Sequence, residues 1–220
     1  MISKIIICLA LGYIFGCFST GYLIGKLKHV DIRKYGSGNP GTTNALRTLG
    51  AKAGAITLFG DMIKAILPII LIRYIIFPDM ENIQLLILYT GLGVVLGHNY
   101  PFWLGFKGGK GIAATGGVMA AFDPYIIPFG LLIFVGSIAI TRYVSVGSLL
   151  VSVLLPVWVI IRYPGNLHML IVALIYMALA FIKHHSNIKR LLNGTENKFG
   201  QKVSIDINCN HPNNPKEENK

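Results

Sequence analysis

The sequence predicts an all-α integral membrane protein with seven transmembrane helices, its N-terminus outside and its C-terminus cytoplasmic. Three observations carry that reading. Of the 220 residues, 53% are hydrophobic and only 13% charged, too apolar for an ordinary soluble domain, and the mean hydropathy of +0.60 agrees. Apolar runs recur along the chain, several near the roughly 20 residues that a helix needs to cross a bilayer. The 20 Lys and Arg outnumber the 9 Asp and Glu, and that excess crowds into the connections, as on a cytoplasmic face meeting anionic headgroups or substrates. A nucleic-acid binder could share the pI of about 9.7, but not such long uncharged runs, so no nucleic acid is expected as a partner.

The first run, residues 5–25, carries no charge and reads as an uncleaved span. Lys4 before it suits a signal peptide, but no A-x-A site follows, and Phe15 spoils a lipoprotein-type site at Cys17. Further runs cover residues 53–77, 83–97, 112–122, 125–140, 144–161 and 167–182, two of them short. Asp123 and Pro124 divide the fourth from the fifth, because proline removes a backbone donor and restricts the residue before it.

Charge asymmetry fixes the count. Residues 26–50 carry Lys26, Lys28, Arg33, Lys34 and Arg47 against the single acid Asp31, whereas the next connection holds only Asp79 and Glu81. The first is therefore inside and the second outside. Threading onward puts Lys107 and Lys110 inside, Asp123 outside, Arg142 inside, and Lys183, Lys189, Arg190, Lys198 and Lys202 inside. Merging the fourth and fifth runs would push that basic end outside. Residues 1–200 then form a single membrane domain, and residues 201–220 a polar cytoplasmic tail with the composition of a disordered segment.

Three cysteines bound little. Cys8 and Cys17 are nine apart and point to opposite faces of one helix at about 100° per residue, and Cys209 lies alone in the tail. Neither a disulfide framework nor a metal site is expected.

The threading gathers three polar islands on one side. In residues 36–50, glycines allow tight turns, Thr42 or Thr43 can cap a short helix that Gly50 ends, and Asn44 and Arg47 share its face. Helix-start amides plus Arg47 suit a phosphate; the alternative is a plain interfacial loop. In residues 97–117, a glycine-rich turn with Lys107 and Lys110 precedes an apolar helix whose start could cradle an anion. It is not a nucleotide P-loop, since the spacing fails and Gly111 stands where a hydroxyl is required. Tyr100, Phe102 and Trp103 read as an interfacial aromatic belt before a stacking platform, and His98 as an interfacial histidine satisfied by backbone, with catalysis as the alternative. In residues 184–200, His184, Asn187 and Arg190 recur every three residues along one helical stripe; Gly194 stops the helix and leaves Glu196 beyond it. Asp61 and Lys64, three apart within a span, read as a structural pair, with a direct catalytic role as the alternative.

The order SGNPGTTNALR, GHNYPFWLGFKGGKGIAAT, HHSNIKRLLNGTE resembles the three motifs of the bacterial acyl-phosphate-dependent glycerol-3-phosphate acyltransferase family, and the resemblance runs over residues 16–200. It implies transfer of a fatty acyl group from acyl phosphate to the 1-hydroxyl of glycerol 3-phosphate. The products would be lysophosphatidic acid and phosphate, an early step of phospholipid synthesis. The first motif falls on Ser37, Gly38, Asn39, Asn44 and Arg47, the second on Gly108, Gly109, Lys110 and Gly111, and the third on His184, Asn187 and Glu196. Thr42 stands where alanine is common. The resemblance implies catalytic or orienting roles for Ser37, Asn39, His184, Asn187 and Glu196. It implies phosphate binding by Gly38, Asn44, Arg47, Gly108, Gly109, Lys110 and Gly111. The acceptor's proton could pass to His184 or to a substrate phosphate. No cofactor or metal is implied. The expected partners are acyl phosphate, glycerol 3-phosphate and membrane lipid, with the soluble enzyme that makes acyl phosphate left open. The expected setting is the bacterial inner membrane, with the site facing the cytoplasm.

A membrane transporter of an organic phosphate would also use seven spans and basic islands, but would distribute them along a midplane path. A phosphatidyl-alcohol transferase would need a DGxxAR run, which is missing.

Overall fold

A computed structural model describes residues 1–201; the reading of the tail beyond them lies outside the described residues. Those residues form ten α-helices and no strand. Four spans are long and apolar enough to cross a membrane. The first joins α1 (Ile2–Gly16) to α2 (Thr20–Leu27), and the second is α4 (Ala51–Leu71) extended by one π-helical turn, Ile72–Ile76. The others contain α5 (Ile83–Asn99) and α8 (Val144–Arg162). A fifth arises if α9 (Leu167–Lys183) and α10 (His185–Leu192), bent by 58°, count as one. The remaining apolar helices, α6 (Ile112–Phe122) and α7 (Ile126–Thr141), are shorter. At about 1.5 Å per residue α6 covers roughly 16 Å, about half the hydrocarbon thickness. The break between them falls at Asp123 and Pro124, where Asp123 Oδ1 accepts from the Tyr125 amide at 3.2 Å and Oδ2 from Trp158 Nε1 of α8 at 3.0 Å.

The first span is interrupted at residues 17–19, where the sequence predicts continuous helix. Side chains satisfy the carbonyls that the interruption frees. Trp103 Nε1 donates to the Cys17 carbonyl at 2.8 Å, and Lys64 Nζ to that of Phe18 at 2.5 Å. In lipid such groups must find protein partners, so the break depends on residues far away in sequence. Trp103 thus has a structural partner beyond the interfacial belt read from sequence.

α5 is the innermost span, with 78% of its apolar stretch buried against 28% for the α1–α2 span. It packs on α1 through small residues on both sides. A Cβ at Gly12 or Gly16 would collide with the Thr90 or Val94 carbonyl, and one at Gly93 or Gly97 with the Leu9 or Tyr13 carbonyl. Between helices in lipid, such close backbone approach supplies the packing energy that water expulsion cannot. Gly117 brings α6 onto α4 in the same way, against the Met62 carbonyl. Outward positions such as Ile14, Leu132 and Ile140 are 67, 72 and 85% exposed, which suits a surface meeting acyl chains.

Candidate active site

The 36–50 island folds around one side chain. Asn44, on α3 (Thr42–Leu49), is buried. Its Nδ2 donates to the carbonyls of Ile32 at 2.8 Å and Tyr35 at 3.1 Å, and its Oδ1 accepts from the Ser37 amide at 2.9 Å. Gly36 and Gly38 have φ of +61° and +70°, and a Cβ at Gly36 would also strike Asn44 Oδ1. The Asn44 amide is therefore engaged with the loop that presents Ser37 and Asn39. Asn39 Oδ1 accepts from the Gly41 amide at 2.8 Å, a local turn that leads into α3. Arg47 stands at the cavity wall and reaches the Asn197 carbonyl at 3.4 Å.

The second island differs from its sequence reading in one respect. The amides of Gly108 and Gly109 turn back onto the end of α5, donating to the carbonyls of Asn99 at 3.2 Å and His98 at 3.0 Å. They are satisfied there, so an anion cradle cannot include them. The glycines permit close packing instead: a Cβ at Gly108 would meet the His98 carbonyl, and one at Gly109 the His98 ring. Gly111, at φ +82°, opens α6, which has no side-chain cap; α3 also lacks one. Thr42 and Thr43 of α3 and Gly111, Ile112 and Ala113 of α6 line one cavity, so two uncapped helix starts converge on it.

In the third island His184 sits at the bend between α9 and α10, not inside a continuous helix as the spacing predicts. Its Nδ1 lies 2.8 Å from the Ala180 carbonyl. A carbonyl only accepts, so Nδ1 carries the proton and Nε2 keeps its lone pair in the neutral ring. Asn187 and Arg190 project from α10. Glu196 comes back to them after the turn at Gly194, whose φ is +67°. Asn187 Nδ2 donates to Glu196 Oε1 at 2.7 Å and Arg190 Nε to Oε2 at 2.7 Å. Lys110 Nζ donates to Asn187 Oδ1, which joins the second island to the third.

Burial favours the neutral form of Glu196, but the Asn187 and Arg190 hydrogen bonds outweigh it and hold its carboxyl below the usual range. Burial pushes the Lys110 ammonium down to about 8; the charge of Glu196 opposes this, and those of Arg190, Arg47 and Lys183 add to it. Burial also lowers Arg47, with Glu196 opposing. An arginine stays charged under such a shift.

Two cavities meet here. One, of 330 Å³, is walled mainly by polar groups, among them Ser37, Asn39, Tyr100, Lys110, Lys183 and Arg190. The other, of 360 Å³, has a polar head containing Arg47, His184, Asn187 and Glu196. It runs on as an apolar groove between α4, α6, α7 and α8, past Leu58, Met119, Ile127 and Phe134. Ser37, Asn39 and Lys110 line both. The residues expected from the sequence are thus brought together, apart from the amides of Gly108 and Gly109 and the amide of Asn44. The sequence reading missed the groove and read Thr43 only as a cap, and it gave a role at the site to Asp61 and His98, which also line the cavity, only as an alternative. Polar residues within or ending apolar spans were the available signal for the last two. No group of three or more His, Cys, Asp or Glu arranged to hold a metal occurs among the described residues.

A family model described as glycerol-3-phosphate acyltransferase matches residues 6–194. The glycerol-3-phosphate acyltransferase of Clostridioides difficile is 43% identical over 204 residues, 91% of this chain and 98% of that protein. The one from Trichlorobacter lovleyi is 41% identical, covering 85% and 93%. Two solved structures of PlsY, an integral membrane glycerol 3-phosphate acyltransferase, superpose with TM-scores of 0.81 and 0.78 at 36 and 35% identity. They cover 89 and 90% of this chain and 96% of each PlsY chain, one in a glycerol 3-phosphate form and the other in a lysophosphatidic acid form. The chain belongs to the glycerol-3-phosphate acyltransferase family and is a multi-pass membrane enzyme.

Proposed function

We propose that the fatty acyl donor used by this glycerol-3-phosphate acyltransferase is acyl phosphate, and that the acyl group passes to the 1-hydroxyl of glycerol 3-phosphate. The observation that carries the reading is the meeting of a polar cavity and an apolar groove at Ser37, Asn39 and Lys110. A donor with an acyl tail and an anionic head fits the groove with its polar head, and a small polyol phosphate fits the polar cavity. The reacting atoms then meet on the shared wall.

Acyl phosphate is a mixed anhydride with a good leaving group, so positioning and charge neutralisation supply much of the rate without a metal or covalent intermediate. The acceptor oxygen attacks the acyl carbon, a carbon–oxygen ester bond forms, and the bond from that carbon to the phosphate oxygen breaks. The hydroxyl proton finishes on the released phosphate, directly or through His184 Nε2. Arg47, Lys110 and the start of α6 at Gly111 neutralise phosphate. Ser37 and Asn39 orient the reacting groups on a turn supported by Gly38 and Asn44. His184, Asn187 and Glu196 serve the glycerol 3-phosphate side, while Gly108 and Gly109 allow the Lys110 loop to pack.

Residues 1–200 act as one domain of seven spans, with the N-terminus outside and the site on the cytoplasmic side of the bacterial inner membrane. The basic loops of residues 26–50 and the basic residues after α9 support that orientation. The same face is open to the soluble enzyme that makes acyl phosphate.

The test uses purified protein in lipid mesophase with palmitoyl phosphate and glycerol 3-phosphate, following lysophosphatidic acid and phosphate by mass spectrometry, with palmitoyl-CoA and EDTA-treated samples alongside. Equal release of both products, only from palmitoyl phosphate and insensitive to EDTA, is expected. Turnover of palmitoyl-CoA alone would overturn the donor assignment.

A further inference from the structure

A buried cluster that the proposed chemistry does not use joins α4 to the start of the second island. Lys64 and Asp61 of α4 and His98 at the end of α5 are 5, 1 and 6% exposed. Lys64 Nζ lies 2.8 Å from Asp61 Oδ1, 2.5 Å from the Phe18 carbonyl and 2.8 Å from His98 Nδ1. An ammonium has three protons and no lone pair. A carboxylate and a carbonyl take two of them, so the third is directed at His98 Nδ1, which must therefore carry a lone pair. His98 is then neutral with its proton on Nε2. His184 has the opposite assignment, with Nδ1 donating to Ala180 and Nε2 bare. Two histidines of the same cavity wall are thus locked as one donor and one acceptor.

His98 Nε2 has no acceptor among the described residues. It stands over Gly109, where a Cβ would collide with Nε2; any other residue at that position would cover the N–H. The surrounding charges indicate what it binds. Arg47 and Lys110 supply the positive charge that a phosphate seeks, whereas His98 is neutral and its neighbours Asp61 and Lys64 cancel each other. A neutral donor beside a cancelled pair, on the wall that leads into the apolar groove, suits an uncharged oxygen.

We propose that His98 is a further catalytic residue, whose Nε2–H donates to the carbonyl oxygen of the acyl donor, and that Lys64 is the positioning residue that fixes its tautomer. This rests on the acyl-phosphate reading. The carbonyl oxygen gains negative charge as the acceptor oxygen attacks, so the hydrogen bond strengthens toward the transition state.

Two non-hydrolysable probes separate this role from packing: 2-oxoheptadecylphosphonate, which keeps the donor's carbonyl, and heptadecylphosphonate, which lacks it. His98→Ala is expected to weaken the first by about tenfold and the second by less than about twofold, and to lower kcat/KM for palmitoyl phosphate by about 10²-fold. His98→Gln, which retains an N–H donor, should recover part of both. Equal losses for the two probes, or none, would overturn the assignment. The wild-type protein, labelled with ¹⁵N-histidine, gives a readout that needs no variant: one histidine protonated on Nε2 with Nδ1 bare, its signal perturbed by Lys64→Met. A His98 protonated on Nδ1 would overturn it as well. Wild-type protein that fails to turn over palmitoyl phosphate refutes the donor reading separately, since the tautomer is measured without substrate.

Discussion

Lys64 is buried and Lys110 half-buried, both near carboxylates, and they differ in how completely the protein satisfies them. Lys64 has three acceptors for its three protons and touches its counter-ion directly. Lys110 has one side-chain acceptor among the described residues, Asn187, and senses Glu196 through that amide. A closed set of partners makes a lysine part of the scaffold, whereas an open one leaves protons for an incoming oxygen. Function follows from the partners left unfilled.

The comparison is sharpest in stability. Lys64→Met leaves Asp61 as a buried carboxylate that keeps the Thr20 hydroxyl at 3.2 Å, with the neutral His98 ring 3.7 Å away and no charged partner among the described residues. Removing one partner of a buried pair costs about 3–5 kcal/mol. Thermal unfolding in detergent should show a large drop, and Lys64→Met with Asp61→Asn should regain much of it, because no charge is then stranded. A single variant as stable as the parent would remove Lys64 from the scaffold.

Lys110→Ala should do the reverse. Burial already disfavours its charged form, so removing it costs little stability. The loss of a charge aimed at developing phosphate charge lowers kcat/KM for the donor by about 10²–10³-fold. A folded Lys110→Ala enzyme with near-parental kinetics would erase the distinction between the lysines.

Much of this was legible in the sequence, and what was not has a common cause. α3 ends at Gly50 as expected, and Asp123 and Pro124 part α6 from α7, because breakers act within a few residues; neither Thr42 nor Thr43 caps α3, which starts at Thr42 behind Gly41 without a side-chain cap. Glu196 beyond Gly194 meets Asn187 because a glycine turn reverses the chain locally. The Gly108 and Gly109 amides could not be assigned in the same way, since the carbonyls that take them belong to the end of the preceding helix. Nor could the interruption at residues 17–19, whose freed carbonyls are met by Lys64 and Trp103. His184 was read within a stripe with Asn187 and Arg190, but the bend that moves it off that helix leaves its ring fixed by Ala180. The apolar groove had no signature at all: its walls come from helices whose lipid-facing and groove-facing residues are equally apolar.

The smallest expected effect is a dependence on pH, which the two lysines should not share. Lys110 in the free enzyme loses its proton near pH 8, below its ordinary 10.5, because burial disfavours the cation. Below that pH the ammonium is charged and donor capture is insensitive to it. Above it, the charged fraction falls tenfold per pH unit, and kcat/KM for the donor should fall with it, by at most about 1.4 kcal/mol per unit. Glu196, held below the usual carboxylate range, stays ionised throughout that interval and adds no limb of its own. A bound phosphate dianion favours the ammonium, so the corresponding limb in kcat should lie at higher pH than the one in kcat/KM. Lys110→Arg, whose guanidinium keeps its charge, should flatten the alkaline limb even if its altered geometry lowers the plateau. A limb that survives unchanged in Lys110→Arg would assign the titration to another group and close the gap between the two lysines.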